Sequence, residues 1–453
     1  MSLLSDFRIK DAVADTERIQ YRTPIKFGGR VVNEATLVNV VVEIETIGGR
    51  RATGRGSMPM GNVWAWPSQG KDNEETLQEM VDLAQALVDR ANAHPDAGHP
   101  LQVASQLAVL REAAAEKSET PSTESMPKLA QLVAASPLEA AVFDAYGRAH
   151  NANVYDLLSS DFITQDLSAW LGPDFRGEYL DRYTLRTIQP RMPLYHLVGA
   201  LDPLDSSELR EPVGDGLPET LGDWILADGL THLKIKLNGD DLQWDVERVV
   251  RIEQVACEAQ QKRGCDVWHY SLDFNEKCRD VQYVLDFLEQ LSRRTAAGFE
   301  RVHYIEQPTH RDLAAHPECL MHAAAAVKPV VIDESLVDLE SLLLSRELGY
   351  SGVALKACKG HAEALIMGAA AQKYEMFLCV QDLTCPGASF LHSASIAART
   401  PTVAAIEGNG RQYCPAGNQH WAERYPTMFE ITDGWVGTDV LQGPGLGYAW
   451  PDQ

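Results

Sequence analysis

The stretch Thr231-His-Leu-Lys-Ile-Lys-Leu-Asn238 sets two lysines two residues apart in an otherwise apolar run. Side chains alternate along a strand, so Lys234 and Lys236 share one face while Leu233, Ile235 and Leu237 take the other. Two ammonium groups on a buried face are costly unless anions or a function hold them there. Three later apolar segments each end in a carboxylate: Tyr270-Ser-Leu-Asp273-Phe-Asn275, Val302-His-Tyr-Ile-Glu306-Gln-Pro308 and Val330-Val-Ile-Asp333-Glu-Ser335. A further lysine, Lys356, closes Val353-Ala-Leu-Lys356. Carboxylates at close quarters repel unless a cation neutralises them, and an all-oxygen donor set favours Mg2+, or Mn2+, over zinc. With a divalent ion the three acids keep one negative charge, which Lys234, Lys236 and Lys356 more than offset. Burial beside a metal and a second ammonium is expected to push one lysine toward the neutral form that a base needs. A metal holding a substrate carboxylate stabilises the charge that develops when the neighbouring C–H is deprotonated. The chemistry implied is proton abstraction beside a carboxylate, and a base on each face of the carbon is what inversion requires.

Each acid also has a structural use. Asp333 or Ser335 could cap a helix over 336–348 with help from Asp338, Asp273 could open a turn with Asn275, and Glu306 could pair with a surface base. Their joint arrival at matching strand ends favours the site. Asp382 and Glu407 close the seventh and eighth apolar segments, as substrate ligands, weak acids or structural groups. His303 alternates with Ile305 onto the outward face and reads as core.

The elements that must position these residues follow Pro190. Eight short apolar segments, 192–198, 232–237, 269–275, 302–307, 330–334, 353–357, 376–381 and 403–407, alternate with amphipathic helices. That pattern predicts a closed parallel (β/α)8 barrel of the TIM type, whose chemistry lies at the C-terminal ends of its strands. Upstream, residues 6–60 alternate like antiparallel strands, interrupted by two stretches rich in turn residues, 22–29 and 54–61, which read as loops able to carry binding groups. Apolar periodicity predicts helices over 73–93 and 103–116, and Ser136-Pro137 reads as the start of a third, Ser136 serving as its N-cap. Residues 202–218 form an insertion after the first barrel strand, and the barrel pattern stops beyond Gly410. The expected organisation is an α+β capping domain over 1–160, the barrel over 161–410 and a C-terminal segment over 411–453.

With 45% apolar and 23% charged residues in 453, the composition is that of an ordinary globular protein. A formal charge of −24 argues against a nucleic-acid partner. No apolar run reaches the length of a membrane span, so no membrane partner and a cytoplasmic location are expected. Eight cysteines lie scattered without a close-paired metal spacing and read as reduced thiols.

Lys-x-Lys, Asp-x-Asn, Glu-Gln-Pro, Asp-Glu-Ser and a sixth-strand lysine, in this order, resemble the enolase superfamily in its mandelate racemase and muconate lactonizing enzyme branch. Ser136-Pro-Leu-Glu-Ala-Ala-Val-Phe-Asp-Ala-Tyr-Gly147 is similar to that family's helix before the barrel, and Gly443-Pro-Gly-Leu-Gly447 to its closing segment. The resemblance implies a modified barrel with a variant eighth unit and a tail that returns to complete the cap. It implies Asp273, Glu306 and Asp333 as Mg2+ ligands and Lys236 and Lys356 as the acid/base pair. Lys234 would orient the substrate carboxylate and keep the Lys236 pKa low, Asn275 would support the metal shell, and 22–29 and 54–61 would cover the mouth and set specificity. Val380-Gln-Asp-Leu-Thr384 has no histidine, which implies the two-lysine muconate lactonizing type. Ile406-Glu-Gly-Asn409 stands where dipeptide-binding relatives carry Asp-x-Asp, which turns the expectation away from dipeptides. The activity implied is a racemase or epimerase of a small carboxylate acting through a metal-stabilised enolate, in a symmetric homo-oligomer. A lyase of the same mechanism, either a sugar-acid dehydratase or a cycloisomerase, is the nearest alternative, and a barrel that binds metal and carboxylate without turnover is another.

Overall fold

The computed structural model describes residues 2–27, 30–117 and 124–451. Three antiparallel strands open the chain, β1 (Phe7–Phe27), β2 (Arg30–Thr46) and β3 (Arg51–Pro59), in the order β1-β2-β3. Helices α1 (Asn73–Ala93), α2 (Pro100–Lys117) and α3 (Lys128–Ala149) follow. α1 starts where a capping box stops fraying: the Asp72 carboxylate accepts the Glu75 N–H and the Glu75 side chain returns to the Asp72 N–H.

Both stretches read as loops are largely strand. β1 continues to Phe27 and pairs Ile25 with Val32; residues 21–24 bulge out, between the pairs Gln20 with Glu34 and Ile25 with Val32. The Gly28 and Gly29 of that expectation lie outside the described residues. Gly54 and Gly56 lie within β3 because α3 rests on the strand's backbone: a Cβ at Gly54 would stand 2.1 Å from Ala145 N, and one at Gly56 2.0 Å from Pro137 O. These glycines mark close approach rather than a turn.

The third helix also differs from its expected start. α3 begins at Lys128 and carries Pro137 inside it. Proline has no N–H for the carbonyl four residues back, and the Ser136 hydroxyl donates to that carbonyl, Val133 O, at 2.8 Å. Ser136 therefore repairs the helix instead of capping it.

Eight parallel strands form the barrel: β4 (Arg191–Val198), β5 (His232–Lys236), β6 (His269–Asp273), β7 (Val302–Glu306), β8 (Val330–Ile332), β9 (Gly352–Lys356), β10 (Phe377–Gln381) and β11 (Ile406–Glu407). They pair in sequence order, and β11 closes on β4 through Ile406 with Leu194. A last strand, β12 (Trp435–Gly437), pairs antiparallel with the N-terminal residues of β4, Arg191 to Pro193. Beyond it the tail reaches the cap, where Leu446 N donates to Asp144 and the Arg148 guanidinium to Tyr448 O at 2.7 Å. Tyr195, Tyr304, Val331, Ala354, Cys379 and Ala405 fill the barrel floor. His303 is not outward core: a bulge steps the pairing from Tyr270–Val302 to Ser271–Tyr304. Its ring stacks on His269 at 3.8 Å and its Nδ1 meets Tyr195 OH at 2.9 Å. Among the described residues no helix is long and apolar enough to cross a membrane.

Candidate active site

Strand register brings the sequence-flagged groups together. Lys236 lies opposite Asp273 and Asp273 opposite Glu306 across β5, β6 and β7. Asp333 follows β8 directly, and Lys356 ends β9. All are at least nine-tenths buried, as is Lys234. β5 and β9 stand four places apart in the ring of eight, so Lys236 and Lys356 project from opposite walls. Asp333 caps no helix. The helix after it is Leu339–Glu347, capped by Asp338 with Ser341, which leaves Asp333 to the barrel mouth.

The acids are held by lysines. Lys234 Nζ is 2.8 Å from both Glu306 Oε1 and Glu407 Oε2 and 3.5 Å from Asp273 Oδ2. Lys236 donates to the Asp273 carboxylate and to Asn275 Oδ1. Lys356 Nζ lies 2.8 Å from Asp333 Oδ2. With these contacts Lys234 and Lys356 are shifted upward. Burial does push Lys356 down, but the Asp333 carboxylate outweighs it and the net shift is upward. For Lys234, burial is likewise outweighed by Glu306, Glu407 and Asp273. Counter-charge at contact distance wins over desolvation here.

Backbone geometry is set by the motif residues. Gln307, held at φ 31, turns its amide so that Oε1 accepts Asp333 N at 2.9 Å and Ser335 N at 3.2 Å, tying the end of β7 to that of β8. Asn275, at φ 51, donates from Nδ2 to Leu237 O at 2.9 Å while its N–H reaches Asp273 Oδ1. Left-handed non-glycine residues are costly and persist where surroundings over-determine them. Asp382 accepts from the backbone N–H groups of Cys385 and Asn409, and burial together with Glu407 pushes its carboxyl up to about 7. It fixes the loops after β10 and β11. Glu407 faces Lys234 and takes 2.7 Å contact from Asn409 Nδ2.

Three further residues meet the site that the spacing did not single out. Lys359, on the turn after β9, donates to Asp333 O and stands 3.0 Å from its Oδ1. Its signal was Lys-x-x-Lys, which a single 3-10 turn eclipses onto one side. Trp64 belongs to a helical turn, Asn62–Ala65, that sits so tightly on the barrel that a Cβ at Gly61 would fall 2.3 Å from Leu383. Its indole covers Lys356 Nζ at 4.6 Å and donates to Glu334 Oε1 at 2.8 Å. Arg311 clamps that turn, donating to Trp64 O at 3.0 Å while it forks onto Glu276 at 2.6 and 2.7 Å.

As they stand, no three acidic, histidine or cysteine side chains among the described residues converge on one ion-sized point. The donor set nonetheless fits a hard divalent cation. It is all oxygen, and burial and then the Asp273 charge push Glu306 well above the usual carboxylate range, so a further cation at its carboxylate would be favourable.

Residues 217–453 match the family described as enolase C-terminal domain-like. The chain belongs to the enolase superfamily, in its mandelate racemase/muconate lactonizing enzyme branch. As such it is a metal-dependent enzyme of the isomerase or lyase kind. Its fold is that of the L-Ala-D/L-Glu epimerase from Bacillus subtilis, at TM-score 0.63 and 16% identity over 97% of this chain and 98% of that one. It is also that of a muconate lactonizing enzyme from Pseudomonas fluorescens complexed with muconolactone, at TM-score 0.60 and 18% identity over 98% and 96%. A Bradyrhizobium enolase complexed with magnesium and mandelic acid aligns at TM-score 0.61 and 16% identity over 99% and 98%. No curated protein matches the chain in sequence.

Proposed function

We propose that this enolase-superfamily protein abstracts the proton α to the carboxylate of a small substrate and returns one to the opposite face, as a racemase or epimerase. The observation that carries the reading is the placement of Lys236 and Lys356, buried, on opposite walls of one barrel mouth with three carboxylates between them. Mg2+ held by Asp273, Glu306 and Asp333 would polarise the substrate carboxylate and offset the negative charge that develops on it. Lys234, central among the acids, supplies a fixed positive charge that orients that carboxylate. Asp333 and Asp273 fix the Nζ atoms of Lys356 and Lys236, so both nitrogens are aimed before substrate arrives. One lysine, as the neutral amine, takes the proton, the other, as the ammonium, gives one back, and the opposite enantiomer is met with the two protonation states exchanged. Trp64 closes the Lys356 side and keeps water from it.

The test is α-proton exchange in D2O with Mg2+, across a panel of chiral carboxylates. Replacing Lys236 with Ala should abolish exchange from one enantiomer, and replacing Lys356 with Ala should abolish it from the other. Undiminished exchange in either variant would overturn the assignment. Loss of water from the substrate, with the same lysines required, would place the protein among the lyases instead.

A further inference from the structure

The barrel helix that follows the Lys356 turn has no N-cap side chain of its own. It runs His361–Lys373, and the residue before it, Gly360, has nothing with which to accept the first N–H groups. The acceptor comes from the cap instead. Glu139, on α3 and 6% exposed, receives Ala362 N on Oε2 at 3.2 Å. Gly360 is held at φ 103, and a Cβ there would lie 2.7 Å from Glu139 Oε2 and 3.0 Å from Oε1. The Glu139 carboxylate thus fills the space in which a capping side chain would stand.

This contact is one residue from the lysines of the site. Gly360 N donates to Ala357 O at 3.1 Å, which closes Ala357–Lys359 into a single 3-10 turn between Lys356 and Gly360, all of it buried. Lys359, beside Gly360, donates to Asp333 O and stands 3.0 Å from Asp333 Oδ1, while Asp333 Oδ2 holds Lys356 Nζ at 2.8 Å. A close-packed turn transmits displacement, so a shift at Gly360 reaches Lys359 and, through Asp333, the nitrogen of Lys356. Lys236, on the opposite wall, is held through different residues, Asp273 and Asn275.

We infer that Glu139 is a positioning residue: by capping the helix after β9 from the cap domain, it sets the turn from Lys356 to Lys359 and so aims Lys356 and Asp333. It acts through Gly360 and Lys359, and it makes the seating of the cap a condition for a working Lys356. What Lys356 does rests on the proton-abstraction reading; that Glu139 sets its turn does not.

Two substitutions separate positioning from packing. Glu139→Ala removes the acceptor, whereas Glu139→Gln keeps an oxygen for Ala362 N in nearly the same volume. Exchange of the α-proton is followed in D2O with Mg2+ for each enantiomer of a carboxylate that the parent exchanges, at a temperature where the variants are folded. Glu139→Ala should lower kcat by about tenfold or more for the enantiomer whose exchange Lys356→Ala abolishes, the penalty of a displaced reacting group, and by less for the other. Glu139→Gln should restore most of it. Equal losses for the two enantiomers, or a Glu139→Gln as impaired as Glu139→Ala, would overturn the inference. Should Glu139→Ala not fold, Glu139→Asp, which withdraws the carboxylate by one methylene, takes its place with the same expectations. Amide hydrogen exchange read by mass spectrometry tests the contacts without substrate: residues 360–364 and 333–336 should exchange faster in Glu139→Ala and as in the parent in Glu139→Gln. Unchanged exchange at 333–336 in Glu139→Ala would also overturn it. Amides that respond as expected in a protein that exchanges no carboxylate would uphold the positioning and reject proton abstraction; α-proton exchange with silent amides would do the reverse.

Discussion

Replacing Lys234 with Met tests whether the acids converge as described. Lys234 is 2% exposed and stands 2.8 Å from two carboxylates and 3.5 Å from a third. Without it Asp273 keeps Lys236, whereas Glu306 is left with the Gln381 amide and Glu407 with the Asn409 amide. Breaking a buried ion pair from one side costs about 3–5 kcal/mol. With an unfolding entropy of about 2.1 cal/mol/K per residue, a cooperative chain of roughly 450 residues loses about 1 kcal/mol per degree, so Tm should fall by about 3–5 °C in EDTA. The sign with pH is fixed. Glu306 already titrates above its unfolded value, and losing Lys234 raises it further. Such a carboxyl costs stability as pH rises through the interval between the two values, so the deficit grows from mildly acidic to alkaline buffer. Saturating Mg2+ supplies the missing counter-charge and should stabilise Lys234→Met more than the parent. Adding Glu407→Gln removes one of the two orphaned charges and should recover part of the loss. A calorimetric Tm within about 1 °C of the parent in EDTA, or equal gains from Mg2+ in both proteins, would refute the reasoning.

Gly56→Ala should loosen the cap, since its Cβ would sit 2.0 Å from Pro137 O; a fall in Tm of several degrees, or proteolysis appearing in β3, is the expected readout. Glu139 accepts from Ala362 N at the start of the helix His361–Lys373, and burial pushes its carboxyl from 4.5 up to about 7. A carboxyl raised in the folded state costs stability as pH climbs from the lower value to the higher. Glu139→Gln should therefore flatten the stability profile across that window and gain about 1–3 kcal/mol above it, measured by urea unfolding at several pH values. Parallel profiles would count against it.

Much of the site was legible in the sequence because a parallel strand has period two and a barrel puts its strand ends in one ring. Lys234, Lys236, Asp273, Glu306, Asp333 and Lys356 needed only that rule. The boundaries of the first seven barrel strands followed within two residues for the same reason, while the eighth, expected from 403, begins at Ile406. Glycine and proline misled where they served packing rather than turning: Gly54, Gly56 and Pro137 read as punctuation, yet each lies inside an element whose neighbour comes too close for a Cβ or whose missing bond a serine replaces.

The sequence by itself determined which groups share the barrel mouth and what chemistry their types allow. Only the tertiary structure decided how they are paired, that contact with Asp333 shifts Lys356 upward despite its burial, and that Trp64, Lys359, Arg311 and Glu334 complete the site. The physical reason is range. Alternation along a strand is a local property of the backbone, whereas the charge a lysine carries depends on an acid from the neighbouring strand and the side chain that covers it comes from hundreds of positions away, brought within about 3–5 Å by the pairing of the barrel strands and the seating of the cap.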